Sequence, residues 1–137
     1  MEKSDMKIIR LLLVDDEEDF RTALADRLKR RNMDVTDAGS GEEAIEIIAK
    51  KSFDVAIVDI KMPGIDGIET LRRIRKIDPL IEVILLTGHA SVEAGVEGIK
   101  YGAYDFIIKP CSVDYLMVKV DDAFRRRVIE KGRVQEK

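Results

Sequence analysis

The sequence has one cysteine, Cys111, and one histidine, His89, among its 137 residues. One cysteine cannot form an internal disulfide and is typical of a protein kept in a reducing compartment. Without a cluster of histidine and cysteine side chains, we do not expect a zinc centre. No apolar stretch approaches the roughly 20 residues that cross a bilayer, and the charged N-terminus, MEKSDMKII, is unlike a signal peptide. We therefore expect a cytoplasmic protein without a membrane partner.

Two further absences narrow the function. The chain has no G-x-x-x-x-G-K-[ST] loop, so we do not expect it to hydrolyse nucleotides. Its net charge of −3 argues against general nucleic-acid binding, and we expect no direct nucleic-acid contact by this chain. The charge is uneven, since residues 125–137 carry +4 and residues 1–124 carry −7. The length fits one domain, which can bury a core without disulfides.

Apolar runs alternate with amphipathic stretches along the chain. The pattern predicts strands at 8–15, 33–38, 53–60, 81–87 and 104–109, and helices at 17–32, 40–51, 66–77, 91–102 and 112–131. Strict alternation is typical of a parallel sheet with helices on both faces. Strands that are apolar throughout fit this arrangement, because both of their faces are buried.

Local signals place several helix features. Phe20, Ala23, Leu24 and Leu28 lie at helical spacing, which supports the first predicted helix. Helix starts are predicted at Ser40 with Glu43, at Asp66 with Glu69, and at Ser112. The segment 39–41, Gly-Ser-Gly, is therefore interpreted as a turn with a capping box rather than as a phosphate cradle.

Polar residues end four of the five predicted strands. In such a sheet, ligands bind outside the carboxyl ends of the strands. The strand-end residues are Asp15, Asp16, Asp59, Thr87, Lys109 and Pro110, whereas strand two ends without an obvious functional group. Three carboxylates together repel one another and raise their pKa values. A divalent cation would relieve this, and oxygen ligands suit Mg²⁺ or Mn²⁺.

A magnesium ion held by few carboxylates usually has phosphate oxygens as its other partners. Lys109 could add a second positive charge to a phosphoryl group, and Thr87 could donate a hydrogen bond. Without a nucleotide loop, the phosphate must arrive on a donor, and an aspartate can accept it as an aspartyl phosphate. Asp59 is the better candidate because it is the single acid at its strand end.

Four segments, LLLVDDEED, VAIVDIKMPGIDGIE, VILLTGHA and AYDFIIKP, resemble the signature segments of response-regulator receiver domains in two-component signalling. The resemblance covers residues 7–131. It implies a flavodoxin-like doubly wound (βα)5 sandwich with a five-stranded parallel sheet in the order 2-1-3-4-5. Residues 1–6 would then be a flexible N-terminus, and residues 132–137 a flexible tail or the start of a linker.

The resemblance also implies a role for each site residue. Asp59 would be the phosphoacceptor. Asp16 would bind the metal directly, Asp15 mainly through water, and the backbone carbonyl of Lys61 would complete the protein ligands, with Asp59 among them. Thr87 and Lys109 would bind the phosphoryl oxygens.

Further implications concern the fifth strand and its end. Phe106 would be the switch aromatic that turns inward when Thr87 moves, in a position where many members have Tyr. The Lys109–Pro110 peptide would be cis. Cys111 departs from the Phe that many members carry there, which affects the local packing. A redox role for Cys111 is the less favoured interpretation.

The implied function is a phosphorylation-activated switch. A sensor histidine kinase would donate the phosphoryl group, and the face formed by the fourth helix, fifth strand and fifth helix would rearrange to control an output domain or partner. The same face could form a homodimer on phosphorylation. The chain would catalyse only its own phosphotransfer and slow dephosphorylation. The segment YDFIIKP bears some likeness to regulators of the nitrogen-control, sigma-54-activator type.

Two alternatives stay open. One is a magnesium-dependent phosphatase with an aspartyl intermediate, although such enzymes need a second acid two residues after the nucleophile, where this chain has Lys61. The other is a receiver-like interaction module that is never phosphorylated, although its relatives typically lack one of the acids or the lysine.

Three other features carry open interpretations. Gly95 and Gly98 lie inside the fourth helix and indicate either a marginal, movable helix or close packing of the glycine faces. The run 125–127, Arg-Arg-Arg, is interpreted as a solvated helix end, with a linker helix as the alternative. His89 is expected in a solvated loop, at the rim of the site, where it could tune the phosphate lifetime.

Overall fold

The computed structural model describes residues 8–136, with side chains as far as Arg133. A single parallel sheet lies at the centre. Its strands are β1 Arg10–Val14, β2 Asp34–Ala38, β3 Val55–Asp59, β4 Glu82–Thr87 and β5 Asp105–Ile108. They lie in the order β2-β1-β3-β4-β5, so the predicted fold class and strand order are confirmed. The flexible segment predicted for residues 1–6 lies outside the described residues.

All five predicted helices are present. They are α1 Glu18–Lys29, α2 Gly41–Ile48, α3 Gly67–Ile77, α4 Val92–Lys100 and α5 Val113–Glu136. The strand bounds and most helix bounds lie within two residues of the prediction, whereas α1 and α2 each end three residues earlier than predicted. Two further differences concern α4 and α5. A short 3-10 helix, His89–Ser91, precedes α4, and α5 continues five residues past the predicted end at 131. No proline occurs after residue 110, so nothing in the sequence interrupts the backbone bonds of this last helix.

The predicted helix starts at Ser40, Asp66 and Ser112 are confirmed. The Ser40 hydroxyl accepts a hydrogen bond from the Glu43 backbone N–H at 3.0 Å, and the Glu43 carboxylate accepts one from the Gly39 N–H at 2.7 Å. Asp66 and Ser112 each accept a bond from the backbone N–H three residues on, at 2.9 and 3.0 Å. The capping box therefore accounts for the Gly-Ser-Gly turn.

Alternation along the strands divides the core into two halves. Leu12 and Val14 of β1 pack on the side of α2, α3 and α4, whereas Leu11 and Leu13 pack on the side of α1 and α5. This explains why the central strands are apolar throughout. The edge strands β2 and β5 contain more partly exposed residues.

The four apolar residues at helical spacing in α1 are not all buried. Leu24 and Leu28 are buried, together with Ala25, but Phe20 is 38% exposed and Ala23 is exposed. Phe20 lies beside Lys109, at the carboxyl edge of the sheet, rather than over the strands. Its large apolar side chain is therefore not explained by core packing.

The prediction that the Arg-Arg-Arg run of α5 is a solvated helix end is wrong for Arg127. Its side chain is only 8% exposed, and its Nε lies 3.1 Å from Asp54 at the amino end of β3. Arg10 of β1 also pairs with Asp54, at 3.2 Å, and Asp78 lies 3.8 Å from Arg127. We call these four residues the amino-edge network. They join α5 to the edge of the sheet opposite the carboxyl ends of the strands.

Candidate functional site

The predicted strand-end acids meet at the carboxyl edge of the sheet. Asp15 follows β1 directly, and Asp59 is the last residue of β3, which pairs with β1 in parallel register. One carboxylate oxygen from each of Asp15, Asp16 and Asp59 lies within 4.8 Å of the others. Asp15 and Asp59 are buried, and Asp16 is exposed. The structure therefore confirms that these three side chains share one place.

Lys109 brings a cation into this cluster. Its Nζ lies 3.1 Å from Asp59, 3.2 Å from Asp15 and 3.6 Å from the more exposed Glu17. Burial would lower the pKa of Lys109, but the hydrogen bond to Asp59 and the charges of Asp15 and Asp59 together raise it. The lysine therefore stays protonated at neutral pH.

Burial and the crowding of charge raise the pKa of Asp59. Burial, followed by the charge of Asp15, raises the pKa of Asp59 to about 6, although Lys109 opposes this shift. A single lysine thus does not compensate for the crowded negative charge. The unrelieved repulsion and the set of oxygen donors fit a divalent cation of the Mg²⁺ or Mn²⁺ type.

The two carboxylate oxygens of Asp15 already have partners. Its Oδ1 accepts a hydrogen bond from the Glu17 backbone N–H at 2.9 Å, and its Oδ2 faces Lys109. Asp16 points into a more open environment. This difference is consistent with a direct metal contact for Asp16 and an indirect one for Asp15.

Arg21 and Asp37 also belong to the site, although no motif in the sequence singles them out. Arg21 donates from Nη1 to the backbone carbonyl of Asp15 at 2.7 Å, and its Nε pairs with Asp37 of β2 at 2.7 Å. The second strand therefore does contribute to the site, through the residue before its last. The only signal in the sequence is an arginine about one turn into α1, which by itself resembles any solvated helix charge.

The loop between β3 and α3 is held by a hydrogen bond from α2 and by glycines that allow close backbone packing. Glu42 of α2 accepts a hydrogen bond from the Ile65 backbone N–H at 3.1 Å, and Gly64 has a φ of +77°. At Gly67, an added Cβ would lie 2.3 Å from the Asp59 carbonyl, so only glycine lets α3 begin this close to the phosphoacceptor candidate. Lys61 lies in this loop, and its carbonyl remains a predicted ligand.

Thr87 and Phe106 lie where the sequence places them. Thr87 is buried at the end of β4, and its hydroxyl donates to the Gly88 carbonyl at 3.0 Å. Phe106 of β5 is partly buried and packs against α4, where an added Cβ on Gly95 would lie 2.8 Å from the ring. The predicted switch roles of both residues remain predictions.

The remaining strand-end and rim residues are also located. The Lys109–Pro110 peptide is cis, as predicted. Cys111 is exposed, and partial burial raises the pKa of its thiol, which does not favour a reactive thiolate. His89 is exposed and lines a cleft together with Lys61 and Asp66. This position places it at the rim of the site.

The chain matches the family model described as response regulator receiver domain over residues 11–121. It is similar to transcriptional regulatory protein ZraR of Escherichia coli K12, with 37% identity over 115 residues, 84% of this chain and 26% of that protein. It is also similar to a putative NtrX-like response regulator of Rickettsia bellii, with 40% identity over 115 residues, 82% of this chain and 24% of that protein. Among solved structures, the receiver domain of NtrX from Brucella abortus has a TM-score of 0.80, with 32% identity, 84% of this chain and 98% of that chain covered.

The chain spans about a quarter of the length of the curated relatives it matches. None of the helices between residues 8 and 136 combines the length and the apolar character that a membrane span requires.

Proposed function

The chain belongs to the response regulator receiver domain family, and we propose that it is a switch operated by phosphorylation of Asp59. The observation that supports this most strongly is the placement of Lys109 3.1 Å from Asp59, within a cluster of three carboxylates. A nucleophile, a cation for the phosphoryl group and the donors for a metal ion are thus in one place.

In the proposed reaction, the Asp59 carboxylate attacks the phosphorus of a phosphohistidine on a sensor kinase. The bond from Asp59 oxygen to phosphorus forms as the bond from phosphorus to histidine nitrogen breaks, in line. Lys109 transfers its contact from the carboxylates to an equatorial phosphoryl oxygen. Its raised pKa keeps this ammonium charged during the transfer.

Asp15, Asp16, Asp59 and the carbonyl of Lys61 would hold the metal ion of the site. When bound, Mg²⁺ would neutralise part of the carboxylate charge and of the charge on the phosphoryl oxygens. The raised pKa of Asp59 supports this assignment, since a folded protein tolerates such crowding more readily when a cation relieves it.

The switch would act through Thr87 and Phe106. The Thr87 hydroxyl would leave the Gly88 carbonyl and donate to the phosphoryl group. Phe106 would then turn inward, and the face of α4, β5 and α5 would shift between pre-existing states. This face exposes apolar side chains, including Val96, Tyr115 and Val118.

The named relatives are response regulators of the sigma-54-activator type. We propose a sensor histidine kinase as phosphodonor and an output domain or partner on the face of α4, β5 and α5. The exposed apolar residues of that face also support a homodimer on phosphorylation. Solution mass with and without beryllofluoride tests this step.

The chain would work in the cytoplasm and would catalyse only its own phosphotransfer and slow dephosphorylation.

The experiment for the proposed function is incubation with acetyl phosphate and Mg²⁺, followed by intact-mass spectrometry. We expect one added phosphoryl group in the wild-type protein and none in Asp59→Asn or in the presence of chelator. No adduct in the wild-type protein would favour the module that is never phosphorylated. An adduct that persists in Asp59→Asn would place the chemistry elsewhere.

A further inference from the structure

Lys109 needs more than carboxylates to hold it in place. Its four-carbon stem is flexible, and its contacts in the structure are to Asp59, Asp15 and Glu17. A metal ion and a phosphoryl group would compete with the lysine for the first two of these. A contact that does not depend on the carboxylate charges would keep the ammonium in the site throughout the reaction.

Phe20 provides such a contact. Its ring centroid lies 4.5 Å from the Nζ of Lys109, within the range of a cation–π interaction. Phe20 and Lys109 also line one groove, together with Pro110 and Cys111. The ring is 38% exposed and is not part of either core half. The ring therefore lies beside the lysine without belonging to the packed core.

We propose that Phe20 is a positioning residue for Lys109, holding the ammonium beside Asp59 through the face of its ring; the inference rests on the proposed function. The effect has two opposite consequences. A held ammonium assists the binding of a phosphoryl group, whose oxygens it contacts. The same ammonium opposes the binding of Mg²⁺ alone, because both cations compete for Asp15 and Asp59.

The first test uses Phe20→Leu, Phe20→Tyr and Phe20→Trp, with beryllofluoride as the phosphoryl analogue at saturating Mg²⁺. Leucine keeps apolar bulk without a π face, whereas tyrosine and tryptophan keep the face. By calorimetry, we expect a roughly two- to five-fold loss of beryllofluoride affinity in Phe20→Leu, the factor that an exposed cation–π contact contributes, and little loss in the aromatic variants. Beryllofluoride and Mg²⁺ bind without a docked kinase, so a kinase-binding surface cannot cause the difference in affinity between the variants.

Tryptophan is also a probe, because the chain contains no other. Its fluorescence in Phe20→Trp reports ligand binding beside Lys109. Unchanged beryllofluoride affinity in Phe20→Leu would overturn the proposal. Equal losses in the leucine and both aromatic variants would also overturn it, because the ring face would then not matter.

The second test measures Mg²⁺ affinity without any phosphoryl analogue. We expect Phe20→Leu to bind Mg²⁺ up to several-fold more tightly than wild type, and to have no such effect in a Lys109→Met background. The same shift in both backgrounds, or weaker binding in Phe20→Leu, would contradict a role through Lys109. This test still decides the role of Phe20 if the wild-type protein fails to bind beryllofluoride, a result that would count against the proposed function instead.

Discussion

At the scale of single residues, the main electrostatic conflict within residues 8–136 is at Asp59. Its carboxylate lies beside that of the fully buried Asp15, and one lysine serves both. The pKa of Asp59 is consequently raised to about 6 by burial and by Asp15. The acid cluster therefore carries repulsion that one lysine does not relieve and that a bound divalent cation would reduce.

Replacing Asp59 with Asn should stabilise the metal-free protein at pH 7 to 8. The raised pKa in the folded state means that ionisation of Asp59 costs stability as the pH rises from about 4 through about 6. A two-unit rise corresponds to nearly 3 kcal/mol, which solvent at the rim reduces to about 1–2 kcal/mol. Urea unfolding in chelator across this pH range measures the difference.

The gain from Asp59→Asn should shrink below pH 5, where the wild-type carboxylate is protonated, and should shrink again with saturating Mg²⁺. A variant that is less stable than wild type at every pH would show that Lys109 already compensates for the carboxylate.

Arg21 is the residue whose loss should weaken metal binding without removing a ligand. It holds the carbonyl of Asp15, in the peptide that leads to Asp16. We expect Mg²⁺ affinity to fall about 10-fold in Arg21→Met, as is usual when a residue behind a metal ligand is lost. Arg21→Lys should show an intermediate loss, since an ammonium can keep only one of the two contacts. Calorimetric titration decides this, and a folded Arg21→Met with wild-type affinity would refute it.

Most of the site could be predicted from the sequence because parallel strands place their carboxyl ends at one edge. That rule locates Asp15, Asp59 and Lys109. It could not locate Arg21 or Phe20, since their roles depend on how far side chains of α1 reach across that edge. Helical spacing supports α1 but does not separate the exposed Phe20 from the buried Leu24 and Leu28.

At the scale of elements, the glycines of α4 are explained by close packing. An added Cβ on Gly98 would lie 2.2 Å from the fully buried Leu85, and one on Gly95 would lie 2.8 Å from the ring of Phe106. The sequence left open a marginal, movable helix or close packing of the glycine faces, and the structure supports close packing at Gly95 and Gly98. Local opening of α4 remains a prediction, and amide exchange equal to that of α1 would exclude it.

Gly95→Ala and Gly98→Ala should therefore behave differently. Both gain helix propensity of about 0.5–1 kcal/mol. Gly98→Ala should nevertheless destabilise by about 1–2 kcal/mol, because the methyl group overpacks a core leucine. Gly95→Ala should stay near wild-type stability but displace Phe106, which is partly exposed and can rotate.

Aromatic NMR shifts of Phe106 measure this displacement, and urea unfolding measures the stabilities. If Gly95→Ala leaves the Phe106 resonances in place, the ring does not depend on this glycine. Gly98→Ala serves as the matched control, since its Cβ does not approach Phe106.

Helix α5 is held to the sheet by the amino-edge network. Arg127 and Asp54 have side chains that are only 8% and 10% exposed. Burial would raise the pKa of Asp54, but hydrogen bonds and charge from Arg10, with a further bond from Arg127, lower it. Removing Asp54 would leave the buried Arg127 with Asp78, 3.8 Å away, as its only ion-pair partner within residues 8–136, whereas removing Arg127 would leave Asp54 paired with Arg10.

We expect Asp54→Asn to destabilise by about 3 kcal/mol and Arg127→Met by about 1–2 kcal/mol, since Arg10 still pairs with Asp54 in the second variant, and we expect the double variant to lose clearly less than the sum. Arg125→Met is the matched control. Arg125 is 75% exposed and pairs only with Asp122 within the described residues, so its loss should cost under about 0.5 kcal/mol. Denaturant unfolding that finds Arg127→Met no worse than Arg125→Met would remove the network from the account.

The starts of the helices were easier to predict than their ends. The side-chain caps at Ser40, Asp66 and Ser112 each bond a backbone N–H three residues on, so a short segment of sequence is enough to predict them. The 3-10 turn before α4 has no such signal, and no proline after residue 110 marks the end of α5. The burial of Arg127 likewise follows from the sheet edge beneath α5, which charge patterning along one helix cannot show.

At the scale of the whole molecule, the two edges of the sheet differ in how their charged side chains are paired. The carboxyl edge gathers acids that repel one another, and the amino edge gathers charges that are paired. Residues 8–136 thus combine a rigid attachment of α5 with a site whose charge balance is incomplete. In the proposed switch, a bound cation would offset part of the acidic charge, and phosphorylation of Asp59 would then shift the molecule between states.

The measurement that tests this most directly is the identification of the phosphorylated residue. Borohydride reduces an acyl phosphate, so that a phosphorylated aspartate becomes homoserine, which peptide mass spectrometry locates. After reaction with acetyl phosphate and Mg²⁺, we predict homoserine at position 59 alone, and none when Mg²⁺ is chelated. Homoserine at position 15 or 16, or equal labelling with and without Mg²⁺, would contradict the account.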